Sequence, residues 1–325
     1  MSSEAAAPSQ HGPVVLAFGG NALLPDPFQP EMQEERARAL ARAVLLLIGR
    51  SSGLVLVHGN GPQVGMILLR VEATRAELPP EPLDMLVAET QGSIGYLLSR
   101  ALRNALGEEG GAVDVTPILT QVVVDPDDQA FERPSKPIGP FYSPAAARQL
   151  MDERGWRMVE VADEGWRRVV ASPRPLRVVE IAPIAAAARG GQVVIAGGGG
   201  GIPVRDDPGR GLAGVEAVID KDRTAALLAR SLEAEAFVVL TGVAHVFRDF
   251  GSPAQERIER MTAGEARALL RRGAFPPGSM APKIEAACDY TSGCGRPTVI
   301  TDTAHLAEAL EGRSGTWIVR GGERR

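Results

Sequence analysis

Short apolar, β-branched runs alternate along this chain with longer amphipathic stretches, and that alternation limits the fold more than any other feature. Residues 14–18, Val-Val-Leu-Ala-Phe, form the first continuous apolar run, and 31–50 then repeats apolar residues at helical spacing. A strand at 54–58 follows, then helices at 63–70 and 83–106, and one or two strands within 113–124. Farther on, the pattern predicts strands at 193–196, 237–240, 298–301 and 317–319. Between them it predicts helices at 181–189, 223–232, 263–272, 282–291 and 304–311, the third opened by a capping box of Thr262 and Glu265. Uninterrupted apolar strands suit a parallel sheet whose two faces are both covered. The expected class is therefore α/β, a three-layer αβα sandwich around a mainly parallel central sheet.

One stretch breaks this rhythm. Residues 122–179 concentrate proline and carry two of the three tryptophans, Trp156 and Trp166. They read as a small inserted subdomain of hairpins with one helix at 144–154, capped by Ser143 and opened by Pro144. Inserts of this size on a parallel sheet often act as lids or partner surfaces. Residues 1–13 read as a disordered tail and 14–320 as a single domain.

Charge and composition exclude several functions. The net charge is −5, with 35 basic residues scattered among 40 acidic ones, so no basic stripe points to nucleic acid. No apolar run reaches the ~18 residues of a membrane span, and the first residues lack the layout of a signal peptide. A cytoplasmic protein is the expectation. Cys288 and Cys294 form neither a disulfide framework nor a C-x-x-C pair, and the four histidines include no H-E-x-x-H, so no metal-ligand residues are expected.

Glycines cluster directly after three of the predicted strands: Gly19-Gly20-Asn21, Gly59-Asn60-Gly61 and Gly197 to Gly201. In open α/β sheets ligands lie beyond the carboxyl ends of the strands. Glycine there brings backbone N–H groups close to anionic oxygens, helped by the N-terminus of the next helix. A tight turn also wants glycine, so one such loop decides little; three favour an anion site. A Walker A loop is absent, because Ser135, Asp220 and Pro282 precede the three lysines. One G-x-G-x-x-G occurs at Gly209, Gly211 and Gly214, but 205–208 does not read as a strand and 215–219 reads as strand rather than helix. That match is attributed to chance.

The basic residues comprise 32 arginines and only three lysines, Lys136, Lys221 and Lys283. Lysine and asparagine both use A-rich codons, so a GC-rich genome accounts for the scarcity. A compact ammonium in a tight site does not exchange freely for guanidinium, which singles out the survivors. Lys221 lies between Asp220 and Asp222 where an apolar run opens into a helix; it is either a solvated neighbour of a capping aspartate or a lysine aimed at a phosphoryl group. Lys283 stands near the start of a helix, and Lys136 sits between Pro134 and Pro137, as an exposed loop charge or a presented cation. Fixed cations beside glycine loops suit phosphoryl transfer, where catalysis is mainly positioning and charge stabilisation. His58 is the one histidine beside a glycine loop, and it reads best as a strand-end histidine bonded to backbone.

Taken together, Ala17–Leu23, His58–Gly65, Ala88–Gly92 with Ile94-Gly95-Tyr96, Lys136–Tyr142, Arg167–Val170, Gly197–Pro203, Gly214–Asp222 and Gly278–Lys283 resemble the carbamate kinases of the amino-acid kinase superfamily. The resemblance runs from about Val14 to Val319. It implies the amino-acid kinase fold and reversible phosphoryl transfer between ATP and carbamate, with Mg²⁺, in a cytosolic homodimer that serves arginine or purine breakdown. An N-terminal lobe at about 14–213 would bind carbamate and a C-terminal lobe at about 214–320 the nucleotide. By matching motifs, Gly19, Gly20, Asn21, Gly59, Asn60 and Gly61 would line the carbamate and phosphoryl pocket, with Gly198 and Gly199 nearby. Lys136 would reach in from the lid, Lys221 and Lys283 would neutralise the migrating phosphoryl group, and Asp222 would orient lysines. The nucleotide would lie against Thr241, Gly242 and Val243 and against Gly278, Ser279 and Met280, within reach of Lys221 and Lys283. Alternatives are a kinase for another small acid and a binding sensor without turnover. Departures from the family pattern are Gly242-Val243-Ala244-His245 in place of Asp-Val-acid-Lys, Ala281 for a glycine and Ala171 for a proline.

Overall fold

A computed structural model describes residues 12–19, 23, 30–161, 164–276 and 278–321. Its central sheet has eight strands in the order β15 (Arg260–Thr262), β17 (Thr316–Val319), β16 (Thr298–Thr301), β12 (Ala236–Leu240), β1 (Val14–Phe18), β2 (Leu54–His58), β9 (Val193–Ile195) and β3 (Val115–Pro117). Among the described pairings of this sheet only β16–β17 is antiparallel.

The continuous apolar runs have a simple cause: alternate residues of one strand feed two different cores. Val15 and Ala17 of β1, Val55 and Val57 of β2, and Phe237 and Val239 of β12 face one side. There they meet α5 (Ile181–Arg189), α6 (Lys221–Ser231), α7 (Ala263–Arg271) and α8 (Met280–Cys294). Val14, Leu16, Phe18, Leu54, Leu56, Val238 and Leu240 face the other. That side is covered by α1 (Pro30–Val44), α3 (Leu83–Glu108) and α9 (Leu306–Leu310). Both faces are buried, so no position can be polar at low cost. This is the expected three-layer arrangement.

A second sheet holds β11 (Gly211–Gly214), β10 (Ile202–Asp207), β4 (Gln121–Val124) and β8 (Pro175–Val178). The separate sheet within the insert is β5 (Lys136–Tyr142), β7 (Gly165–Val170) and β6 (Arg157–Val161), with α4 (Pro144–Arg154) beside it. Ser143 caps α4 by accepting from the Ala146 N–H, as its sequence predicts. The insert rests on α2 (Gly61–Thr74) and the start of α3 through Val64, Leu68, Leu83, Leu86, Ile138 and Trp156. Strands β13 (Val246–Arg248) and β14 (Glu256–Ile258) make a short antiparallel ribbon. No described helix is long and apolar enough to cross a membrane.

Several sequence expectations change. The helix expected over 31–50 stops at Val44 and tightens into a 3₁₀ turn, Leu45–Leu47, before Gly49 takes a positive φ of 86°. Residues 113–124 split between two sheets. A strand does precede the Gly209–Gly214 match, because β10 runs through Arg205 to Asp207, but an antiparallel strand rather than a helix follows. The match is therefore a hairpin. Residues 215–219 are not a strand: their backbone bonds go to Pro203, Val215 and Ala171 instead of a ladder.

Candidate active site

Because the neighbouring strands run parallel, the ends of β1, β2, β9 and β12 open on one edge of the sheet. Gly19 leaves β1 there, and the Gly59 N–H donates to the Phe18 carbonyl at 2.8 Å, which joins the first two loops. Gly20 and Asn21 lie outside the described residues. Asn60 precedes α2 but does not cap it with its side chain, which is 97% buried and turned elsewhere. Gly61 is the exposed first residue of α2.

The loop Gly197 to Gly201 shows why only glycine fits. A Cβ on Gly198 would sit 2.2 Å from His58 Nε2, and one on Gly199 would sit 2.1 Å from Asn60 Nδ2 with φ at +68°. The loop is thus packed directly on the β2 loop. On its other side Thr224 of α6 donates to the Gly200 carbonyl at 2.7 Å. Three loops and one helix N-terminus meet here.

That N-terminus carries the charged cluster. Asp220 caps α6, accepting from the N–H groups of Asp222 at 3.0 Å and Arg223 at 3.4 Å. Its other oxygen accepts from Lys136 Nζ at 2.6 Å, across 84 residues and from the insert. Asp222 accepts from Lys221 Nζ at 2.7 Å and from Lys283 Nζ at 3.0 Å. Lys283 comes from the first turn of α8. The three lysines that the sequence isolates therefore converge on two aspartates at one helix start, beside the glycine loops.

The electrostatics are those of cations held ready. Burial alone would raise the Asp220 carboxyl, but Lys136 and Lys221 outweigh it and hold it well below the ordinary carboxylate range. Lys221 goes down, because its burial and the neighbouring Lys283 cation exceed the pull of Asp222. Lys283, somewhat less buried, goes up because Asp222 and Asp220 outweigh its desolvation. Burial lowers His58 to about 4, so it is neutral at pH 7, and its Nδ1 lies 3.1 Å from the Gly59 carbonyl. This is the backbone-bonded histidine expected from its place at a strand end.

The remaining residues predicted to face nucleotide lie nearby in the chain order but make fewer contacts. Thr241 follows β12 and its N–H donates to the Thr301 carbonyl at 2.8 Å. Gly242 is exposed and Val243 half-buried, while Gly278 and Ser279 are exposed and Met280 begins α8. Ala171 bridges to Ala217 and accepts from the Val218 N–H at 2.9 Å, tying the end of the insert to the segment that leads into Asp220. A cavity of about 470 Å³ lies between the insert and α2–α3 under Trp156 and Arg168, and none of the three lysines lines it. Opposed charges are concentrated at the lysines rather than in that hollow, which makes the lysine cluster the candidate for chemistry.

Asp220, Thr90, Gln91 and Thr224 had no site role on sequence grounds. Asp220 stands out in the sequence only as a capping aspartate beside Lys221; the other three contact the loops only through the fold.

A profile of the amino acid kinase family matches residues 12–302. The chain belongs to the amino acid kinase family. It is 42% identical over 313 residues to a carbamate kinase of Thermococcus kodakarensis, covering 94% of this chain and 99% of the relative. It is 44% identical to the carbamate kinase-like protein YahI of Escherichia coli, over 94% of this chain and 98% of that one. Among solved structures, carbamate kinase from Giardia lamblia bound to AMP-PNP superposes with a TM-score of 0.88 at 36% identity, covering 96% and 99% of the two chains. This kinase is an ATP-dependent phosphotransferase, and its fold is the amino-acid kinase fold.

Proposed function

We propose that this kinase transfers a phosphoryl group reversibly between ATP and carbamate, giving ADP and carbamoyl phosphate. The observation that carries the reading is the convergence of Lys136, Lys221 and Lys283 on Asp220 and Asp222 beside the loops at Asn60 and Gly198. In the ATP-forming direction a β-phosphate oxygen of ADP attacks phosphorus. One P–O bond forms to ADP as the P–O bond to carbamate breaks, and carbamate leaves as an anion. Attacking and leaving groups are both anions, so no general base is needed. That agrees with His58, whose low pKa and bond to the Gly59 carbonyl leave no proton-transfer task.

In this reading Gly19, Gly20, Asn21, Gly59, Asn60, Gly61, Gly198 and Gly199 surround the carbamate and phosphoryl groups. Lys136 reaches over from the insert, acting as a lid. Lys221 and Lys283 face the spreading phosphoryl charge, and Asp222 holds both in place. The nucleotide lies along Thr241, Gly242 and Val243 and along Gly278, Ser279 and Met280. Mg²⁺ would arrive on the nucleotide's own phosphate oxygens, because Asp220 and Asp222 already have lysine partners. It would supply charge neutralisation between those oxygens. A homodimer in the cytoplasm, making ATP at the end of arginine or purine breakdown, completes the proposal.

The test is a coupled assay of ATP formation from ADP and carbamoyl phosphate, with acetylglutamate, aspartate and UMP as competing acceptors in the reverse direction. ATP from carbamoyl phosphate is the expected result. An enzyme that binds ADP but makes no ATP from carbamoyl phosphate would refute the proposal and favour another acceptor or a sensor.

A further inference from the structure

Two adjacent residues of α3 turn away from its apolar neighbours to reach the site loops. Thr90 and Gln91 are 0% and 6% exposed, while Val87 and Ile94 on either side belong to hydrophobic clusters. Buried polar groups are costly unless fully bonded, so their partners show what they are for.

The Thr90 hydroxyl donates to the Val87 carbonyl at 2.7 Å. Its one proton is thereby used, so towards Asn60 it can only accept. Asn60 must present its Nδ2, which it does at 2.8 Å. The carbonyl of Val87 thus dictates, through Thr90, which way the Asn60 amide faces. The second Nδ2 proton and the Oδ1 remain at the place where Gly199 comes within a missing Cβ of the same amide.

Gln91 performs the same service for the other loop. Its Nε2 donates to the Gly198 carbonyl at 2.9 Å and to the Thr120 carbonyl at 3.1 Å, while its Oε1 accepts from the Thr120 N–H at 2.8 Å. Thr120 in turn accepts from the Gly197 N–H at 2.9 Å. The Gly198 carbonyl is thus turned to Gln91 and the Gly200 carbonyl to Thr224, both towards the protein. The N–H groups of Gly197, Gly200 and Gly201 are taken up by Thr120 and by the Gly197 and Gly198 carbonyls, which leaves those of Gly198 and Gly199 for an anion approaching the loop.

We propose that Thr90 and Gln91 are positioning residues of the anion site: Thr90 sets the polarity of the Asn60 amide and Gln91 fixes the orientation of the Gly198 peptide. The turnover arm of its test rests on the carbamoyl phosphate reading; the spectroscopic and exchange arms do not. The chain has three asparagines, Asn21, Asn60 and Asn104, so selective ¹⁵N-asparagine labelling gives three side-chain NH₂ pairs, and Asn60→Asp identifies the one that matters.

Thr90→Val keeps the shape and removes the acceptor. It is expected to shift the Asn60 pair and to lower kcat by on the order of 100-fold, the cost of a small misplacement, while ADP affinity is unchanged. Thr90→Ser restores both the resonances and the rate. Gln91→Leu and Gln91→Glu are expected to accelerate amide exchange across 197–201 without affecting β12. The proposal is overturned if Thr90→Val leaves the Asn60 pair in place, if Ser and Val at 90 behave alike, or if exchange at 197–201 is unchanged in both Gln91 variants. A parent enzyme inactive on carbamoyl phosphate would sink the acceptor reading alone, with the resonances and exchange still deciding this one.

Discussion

Asp222 accepts hydrogen bonds from two ammonium groups, with the Lys221 side chain 10% exposed and the Lys283 side chain 13% exposed. Two cations this close repel each other, so the shared carboxylate is what lets both stay charged in a dry site. In the proposed reaction each faces the spreading phosphoryl charge, and removing one transition-state donor typically costs 10²–10³ in rate. Lys221→Ala and Lys283→Ala are each expected to lower turnover at least ~100-fold in single-turnover measurements; a near-normal rate in either would refute its assigned role. His58 gives a pH prediction. Its imidazole titrates near 6.5 unfolded and about 4 folded, so between these values the unfolded chain binds the extra proton. Its contribution to stability is full above pH 6.5 and is lost as pH falls towards 4, by about 3 kcal/mol. Denaturant unfolding of the parent and of His58→Gln across that window measures it: the variant should have the shallower slope, and parallel slopes would contradict the assignment.

At the scale of elements, caps and close backbone approaches are the parts that a substitution can reach separately. The Thr262–Glu265 capping box at α7 is complete, with Thr262 accepting from the Glu265 N–H at 3.2 Å and Glu265 accepting from the Thr262 N–H at 2.7 Å. Thr262→Ala is expected to cost about 1 kcal/mol of stability and to leave kcat unchanged, since no site residue leans on it. This box was legible from four letters, as were the central strands, because their information is local: period, cap and turn. Strand β10 was not, since Pro203 and the charged run from Arg205 to Asp207 hide a strand that is buried on only part of its length. The 215–219 run misled in the opposite sense, because Ala217, Val218 and Ile219 are buried in an irregular segment. The lysines were legible through rarity alone. Their pairing was not: Lys136 meets Asp220, and sequence carries no distance across 84 residues. Thr90 and Gln91 stood within a recognised motif but had no role until their partners, 29 to 107 residues away, were known.

Across the whole molecule, two of the contacts that hold the insert in place differ in kind. Backbone meets backbone where a Cβ on Gly65 of α2 would fall 2.9 Å from the Gly139 Cα of β5, so the strand carrying Lys136 lies directly on that helix. Charge meets charge where Lys136 reaches Asp220. The second contact could serve as a latch, holding the insert down, or as a source of positive charge for the phosphoryl group, and a pair of variants separates the two. Lys136→Met removes both functions and is expected to lower turnover at least ~100-fold. Lys136→Arg keeps a cation able to pair with Asp220, so as a latch it should hold, with unfolding and exchange of the insert amides unchanged. A planar guanidinium cannot occupy the same compact position between the aspartate and the phosphoryl oxygens, so turnover should stay low. Arginine at 136 restoring the rate would mean that charge alone suffices there. Arginine failing while the insert stays closed would explain, at this position, why a chain with 32 arginines has kept a lysine.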